Sequence, residues 1–314
     1  VFDGPIFTQR ATADLLPIML LDSASLQENE AERSNRKRKP GQPKAVPLYT
    51  RDDVRDALSQ LHPLDYATRT QILEGVEIAF RDAGHILGSA IVELWADGRK
   101  LVFSGDLGMP NAPILRDPTP VADADLLLME STYGNRNHKQ RSETVLELSE
   151  ILEAAWRDHG NVLIPAFAVG RTQELLYWFA RHWNDWDMSR WKIFLDSPMA
   201  SKVVQVYDHH HELFDAEARE IWRGTPNPFR LPNLRVTQTA EESMSINRIH
   251  GGAIIIAGNG MASGGRILHH MRQCLPKRQT RMVFVGYQAE GTLGRTPHNG
   301  IVSPAAGLGI EAVA

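Results

Sequence analysis

Small apolar residues and acids recur at helical spacing over residues 12–32, a pattern that predicts a helix. It runs into Arg33-Ser34-Asn35-Arg36-Lys37-Arg38-Lys39-Pro40-Gly41. A basic run closed by Pro-Gly reads as a solvated loop, with contact to RNA the sharper alternative. Residues 50–61 repeat the helical pattern. From Val76 the texture becomes that of short strands. Residues 76–80, 90–95 and 100–103 are predicted strands, and the turn Ala96-Asp97-Gly98 predicts a hairpin between the last two. Residues 126–129 form another apolar stretch, predicted as a buried strand entered from a turn around Asp123 and Asp125.

After Gly134 the pattern changes again. Val145, Leu148, Leu152 and Ala155 mark one face of a helix that stops at Gly160. Residues 161–165 read as a strand, 172–181 as a helix and 192–195 as a strand, with a helix after Pro198. Residues 253–257, 267–274 and 282–285 continue as strand, helix and strand. This alternation predicts a mainly parallel sheet covered on both faces. The expected organisation is a hairpin-rich domain over 1–134, an α/β domain over 135–295 and an irregular tail over 296–314. The tail has neither a strand nor a helix period.

Composition adds three constraints. With 42% hydrophobic residues the chain can bury a sizeable core, yet nothing approaches the roughly 18 consecutive apolar residues of a membrane span. No membrane association is therefore expected. The start, Val1-Phe2-Asp3-Gly4, lacks both a Met and the basic-then-apolar order of a signal peptide, so the chain is expected to start inside something longer. Cys274 is the single cysteine, which excludes a disulfide framework and a cysteine zinc site and fits a reducing, cytoplasmic setting. A net charge of −4 does not advertise a nucleic-acid binder, although bound metal can supply local positive charge.

Candidate chemistry sits at strand ends. Asp82-Ala83-Gly84-His85-Ile86-Leu87-Gly88-Ser89 places an imidazole between glycines in a loop, where the backbone can approach a ligand. Phe103-Ser104-Gly105-Asp106-Leu107-Gly108 ends a strand with one carboxylate at a small-residue turn. Leu128-Met129-Glu130-Ser131 ends another with Glu130. Singly, a loop His is more often structural, and an Asp after a strand is often only a turn former. Together, His85 and Asp106 form a reasonable partial zinc shell, and zinc needs about four ligands. Ser263-Gly264-Gly265-Arg266, between a strand and a helix, are candidate phosphate or RNA contacts through backbone N–H groups. Blander readings suit the rest. Residues 208–212, with His209, His210 and His211, read as a solvated helix face; His269 and His270 read as packing or surface residues, and Cys274 as a small buried apolar group.

These motifs resemble the metallo-β-lactamase-fold nucleases of the β-CASP type, the RNA 3′-end-processing endonucleases and their bacterial relatives. The His85 and Asp106 segments resemble the third and fourth metal motifs of that fold, and Glu130-Ser131-Thr132-Tyr133-Gly134 resembles the first β-CASP motif. Residues 164–174, 195–200, 260–266 and 285–295 resemble the β-CASP body. The resemblance implies an α/β fold, part of an αββα metallo-β-lactamase sandwich plus a β-CASP domain with a mainly parallel sheet. It implies a hydrolase using two Zn2+ ions, with His85 and Asp106 as metal ligands, Asp106 bridging, and Glu130 orienting a catalytic histidine. It further implies single-stranded RNA entering between the domains as substrate, in RNA processing or decay by endo- or exonuclease cleavage; a homodimer is compatible with it. Rival readings are a DNA-processing member and a non-catalytic scaffold of the same fold. The family's His-x-His-x-Asp-His motif and two later histidine motifs are not found, and His298 is not in the expected setting. The 314-residue chain is therefore expected to bind zinc weakly and to have little nuclease activity.

Overall fold

In the computed structural model, residues 2–135, 137, 139–224 and 226–295 are described in full, and 302–305 and 310–313 by their backbone. The chain divides into two compact units, Val1–Glu130 and Ser131–Ala314. Each has its own main sheet.

The first unit contains β1 (Ile6–Gln9), α1 (Arg10–Arg36), α2 (Arg51–Ser59) and β2 (Leu61–Leu64), followed by β3 (Thr70–Leu73), β4 (Val76–Asp82), β5 (Ala90–Ala96), β6 (Arg99–Phe103) and β7 (Leu126–Leu128). β1 and β2 pair in parallel. Gln9 starts α1 by accepting the N–H groups of Ala11 and Thr12, and Thr50 with Asp53 forms a capping box at α2. The main sheet runs β3-β4-β5-β6-β7, antiparallel as far as β6 and parallel between β6 and β7. Asp97 and Gly98 both have positive φ, 50° and 72°, which suits the tight turn of a right-twisted hairpin. Since β4 and β6 flank β5 in the same direction and β7 follows β6, the carboxyl ends of β4, β6 and β7 emerge at one edge. That is the edge from which the residues around His85, Asp106 and Glu130 leave.

Two differences from the sequence reading stand out here. β1, β2 and β3 have four residues each, too short for a period to register. Leu126, Leu127 and Leu128 were expected to be buried, but they are 53%, 53% and 47% exposed. β7 is an edge strand whose only paired neighbour among the described strands is β6, so composition alone misjudged its burial.

The second unit contains α3 (Arg141–Arg157), β8 (Val162–Pro165), α4 (Arg171–Arg181), β9 (Lys192–Asp196), α5 (Pro198–His209), α6 (Ala216–Arg223), β10 (Leu234–Val236), α7 (Ala240–Ile246), β11 (Ala253–Ala257), α8 (Ile267–Cys274) and β12 (Arg281–Val285). Its strands and helices alternate as predicted, while α6, β10 and α7 are elements the sequence pattern did not announce. The strands order as β10-β9-β11-β8-β12 and all these pairs are parallel. β8 and β11 are buried along their whole length, as near-continuous apolar runs in a covered parallel sheet should be. Leu163, Phe194, Ile255 and Phe284 pack with Ile267, Met271 and Cys274 of α8 in one core cluster. Cys274 is buried, as expected, and burial pushes its thiol pKa up. Within the tail expected to be irregular, the backbone forms β13 (Val302–Ala305) and β14 (Ile310–Val313). β14 pairs antiparallel with β12 and with β13: an open sheet edge supplied pairing that no local period announced. Residues 296–301, including His298, and 306–309 lie outside the described residues.

Candidate metal centre

The loop after β4 is folded around its own hydroxyl and carboxylate. Ser89 Oγ accepts the N–H groups of His85 (3.1 Å) and Ile86 (3.3 Å), and Asp82 accepts that of Gly84 at 2.9 Å. Tyr66 donates its hydroxyl to the Ser89 carbonyl at 2.7 Å. Burial raises the pKa of both the Tyr66 phenol and the Asp82 carboxyl; at Asp82 the Gly84 N–H pulls the other way. Leu87 is 1% exposed and anchors the loop in the core. The imidazole of His85 is left facing outward.

The loop after β6 packs directly on this one. Gly108 donates its N–H to the Ala83 carbonyl at 2.8 Å, and a Cβ at position 108 would collide with the carbonyl group of Gly84. Gly84 itself has φ +63° and lies so close to the Arg116 carbonyl that a side chain would strain it. Two glycines therefore let the loops touch, and the contact brings His85 Nε2 to 3.9 Å from Asp106 Oδ2. Both side chains are exposed, at 44% and 75%. Glu130 ties in the third strand end: its Oε1 accepts the Leu107 N–H at 2.7 Å, and its own N–H donates to Ser104 Oγ at 3.0 Å.

His85 and Asp106 make no other side-chain hydrogen bond or ion pair among the described residues. Atoms bound to one zinc at about 2.0–2.2 Å each can lie at most about 4.3 Å apart. The observed separation fits inside that limit, so an imidazole nitrogen and a carboxylate oxygen can share an ion here. They are two of the roughly four ligands zinc takes.

The second unit holds a polar cluster that sequence reasoning missed. Asp196, at the end of β9 and 1% exposed, accepts from Arg266 Nη1 (2.7 Å), Ser243 Oγ (2.6 Å), His270 Nε2 (2.6 Å) and Thr237 Oγ1. Burial alone would raise its pKa. The hydrogen bonds from His270, Ser243, Thr237 and Arg266 outweigh burial and hold the carboxyl well below the usual carboxylate range. His270 is fully buried, its Nδ1 3.0 Å from Asn247 Oδ1. The available signals were the pair Arg266 and His270, four apart on one helix face, and the segments 195–200 and 260–266 that resemble the β-CASP body, but neither assigned a role to Asp196. Arg266 also donates to the Gln238 carbonyl at 2.8 Å, so its guanidinium is occupied. The N–H groups of residues 263–266 donate to no acceptor among the described residues. The histidine tract differs from its expected helix face: α5 ends at His209, and His210 is buried beside Glu212 while His209 and His211 are exposed.

With this geometry in hand, the chain can be set against known proteins. Residues 172–296 match the Beta-Casp domain family. The chain is 40% identical over 293 residues to Ribonuclease TTHA0252 of Thermus thermophilus, covering 93% of this chain and 63% of that protein. It is 31% identical over 307 residues to Transcription termination factor FttA of Pyrococcus abyssi, covering 96% and 45% respectively. An RNase J-like protein of Methanocaldococcus jannaschii is 30% identical over 255 residues, covering 80% of this chain and 58% of its own length. The chain thus spans about half to two thirds of the length of these relatives.

Proposed function

Because the chain belongs to the β-CASP family of metallo-β-lactamase-fold proteins, we propose that the protein containing it hydrolyses RNA phosphodiester bonds with zinc held at His85 and Asp106. The observation that carries this reading is the 3.9 Å approach of two otherwise uncommitted ligand atoms on touching loops. Relatives named as ribonucleases favour RNA over DNA. Zinc bound there would polarise a phosphate oxygen and lower the pKa of a bound water towards neutrality.

The chain's own residues do the rest. His85 would ligate the metal through a ring nitrogen. Asp106 offers two carboxylate oxygens and would supply the acidic ligand to bound metal. Glu130 accepts the Leu107 N–H and so fixes the backbone next to Asp106; we assign it the further task of orienting a catalytic imidazole. In the second unit, the unused N–H groups of Ser263, Gly264 and Gly265 support a backbone phosphate contact at the start of α8, with Arg266 holding the loop through Asp196.

The test is cleavage of single-stranded RNA and DNA by the full-length protein, with and without chelator. RNA cleavage should need zinc, and Asp106→Ala should reduce it to background. Chelator-insensitive cleavage would remove the metal from the reading, and a preference for DNA would remove RNA.

A further inference from the structure

The basic run at the end of α1 is a built feature. Seven Lys and Arg residues, and no acid, fall between Glu32 and Asp52 in a chain whose net charge is −4. Beyond the helix the chain turns at Gly41 (φ +87°) and folds back along α1. Asn35 closes the base of the loop with two bonds to Ala45, from Nδ2 to its carbonyl (2.8 Å) and from its N–H to Oδ1 (2.9 Å). The returning segment is then tied to α1 by Leu48 N–H to Gln27 (3.0 Å), Tyr49 to Ser23 (2.6 Å) and Arg51 to Glu28 (2.7 Å). Lys37, Lys39 and Lys44 are left at the tip, exposed and without a side-chain hydrogen bond or ion pair among the described residues. Arg38 reaches only the Gln42 carbonyl.

A helix carboxyl terminus favours cations, but that effect fades within the last turn. It accounts for Arg33 and Arg36 and not for Lys37 to Lys44. Like charges held this close repel within a Debye length of about 10 Å, so a fixed loop that concentrates them is suited to a polyanion.

We propose that the loop at residues 37–44 is a distal contact for the phosphate backbone of single-stranded RNA. The proposal rests on the reading that RNA is the substrate. α1 sets where the contact falls. Its first turn touches the metal loop, with Thr12 Oγ1 donating to the Gly88 carbonyl at 2.6 Å. At about 1.5 Å per residue, the 25 steps from Thr12 to Lys37 put the tip roughly 38 Å away. At about 3.4 Å per stacked nucleotide this is on the order of eleven nucleotides. An RNA of about five nucleotides at the metal site cannot reach the loop.

The experiment uses the full-length protein and its Lys37→Gln/Arg38→Gln/Lys39→Gln/Lys44→Gln variant. Affinity for RNAs of roughly 5 and roughly 25 nucleotides is measured across a salt series, alongside cleavage of both. Losing two to four phosphate contacts should weaken binding of the long RNA about 10- to 200-fold near 150 mM salt and flatten the log–log salt slope by about 1.4 to 2.8. Cleavage of the short RNA should not change. A matched variant at Lys202, Arg235, Arg248 and Arg272, which are exposed in the second unit, should keep the wild-type affinity. Unchanged affinity and slope in the loop variant, or an equal loss in the matched one, overturns the proposal while RNA cleavage by the wild type still stands. Absence of any wild-type RNA cleavage, with loop-dependent binding retained, would instead overturn the functional reading alone. Absence of RNA binding would overturn both.

Discussion

Gly108 is where the candidate site depends most on a single atom. With no Cβ it lets the Asp106 loop lie on the carbonyl of Gly84, and that contact sets the distance from Asp106 to His85. Gly108→Ala should therefore destabilise the first unit by about 1–3 kcal/mol, the usual cost of overpacking. It should also weaken metal binding, because the two ligand atoms already sit near the widest span one ion can bridge. Chemical denaturation and metal titration of the variant check this; a variant with wild-type stability and affinity would show that the loops can separate freely. His85 and Asp106 could be singled out in the sequence only together, as polar residues at the ends of neighbouring strands in segments that resemble metal motifs; singly, each reads as an ordinary loop residue. Gly108 could not be singled out, because its role is defined by a neighbour 24 positions away.

Between elements, Asp196 is the corresponding tie. It joins β9 to Thr237 just beyond β10, to Ser243 of α7 and to Arg266 and His270 at α8. Replacing it with Ala would leave buried partners uncompensated, at a cost of about 3–5 kcal/mol. Its folded pKa is depressed. Its contribution is therefore present in full above the unfolded value of about 3.9, and is lost as the pH falls below that value towards the folded one. Urea unfolding of wild type and Asp196→Ala at neutral pH and near pH 3 should give a difference that shrinks in acid. A gap independent of pH would mean that the carboxylate charge is not what matters.

At the scale of the molecule, two compact units carry different parts of the reading. The first holds the candidate ligand pair His85 and Asp106; the second holds the parallel sheet and the candidate N–H cradle at α8. With His85 and Asp106 as its two candidate ligands, the 314-residue chain by itself is expected to bind zinc weakly and leave RNA essentially uncut, whereas under the proposed function a chain extended to its relatives' length is expected to cleave it. Zinc titration and RNA hydrolysis with both forms test this, and brisk cleavage by the 314 residues alone would mean that other ligands lie within them.

The sequence by itself determined most of the elements and their class. Apolar runs such as Ile254-Ile255-Ile256 and helical stripes such as Leu148 and Leu152 are local patterns, and local patterns register in a linear reading. The hairpin at Asp97-Gly98 was equally readable, since its turn chemistry lies within two residues. Tertiary structure alone decided what depends on the partner across a gap in sequence. It exposed Leu126–Leu128 by placing β7 at a sheet edge, buried His270 and His210 among polar neighbours, and tied the Arg266 guanidinium to Asp196. The physical reason is the same in each case: a side chain's polarity is its own, but its burial and its hydrogen-bond partners belong to the residues that folding brings beside it.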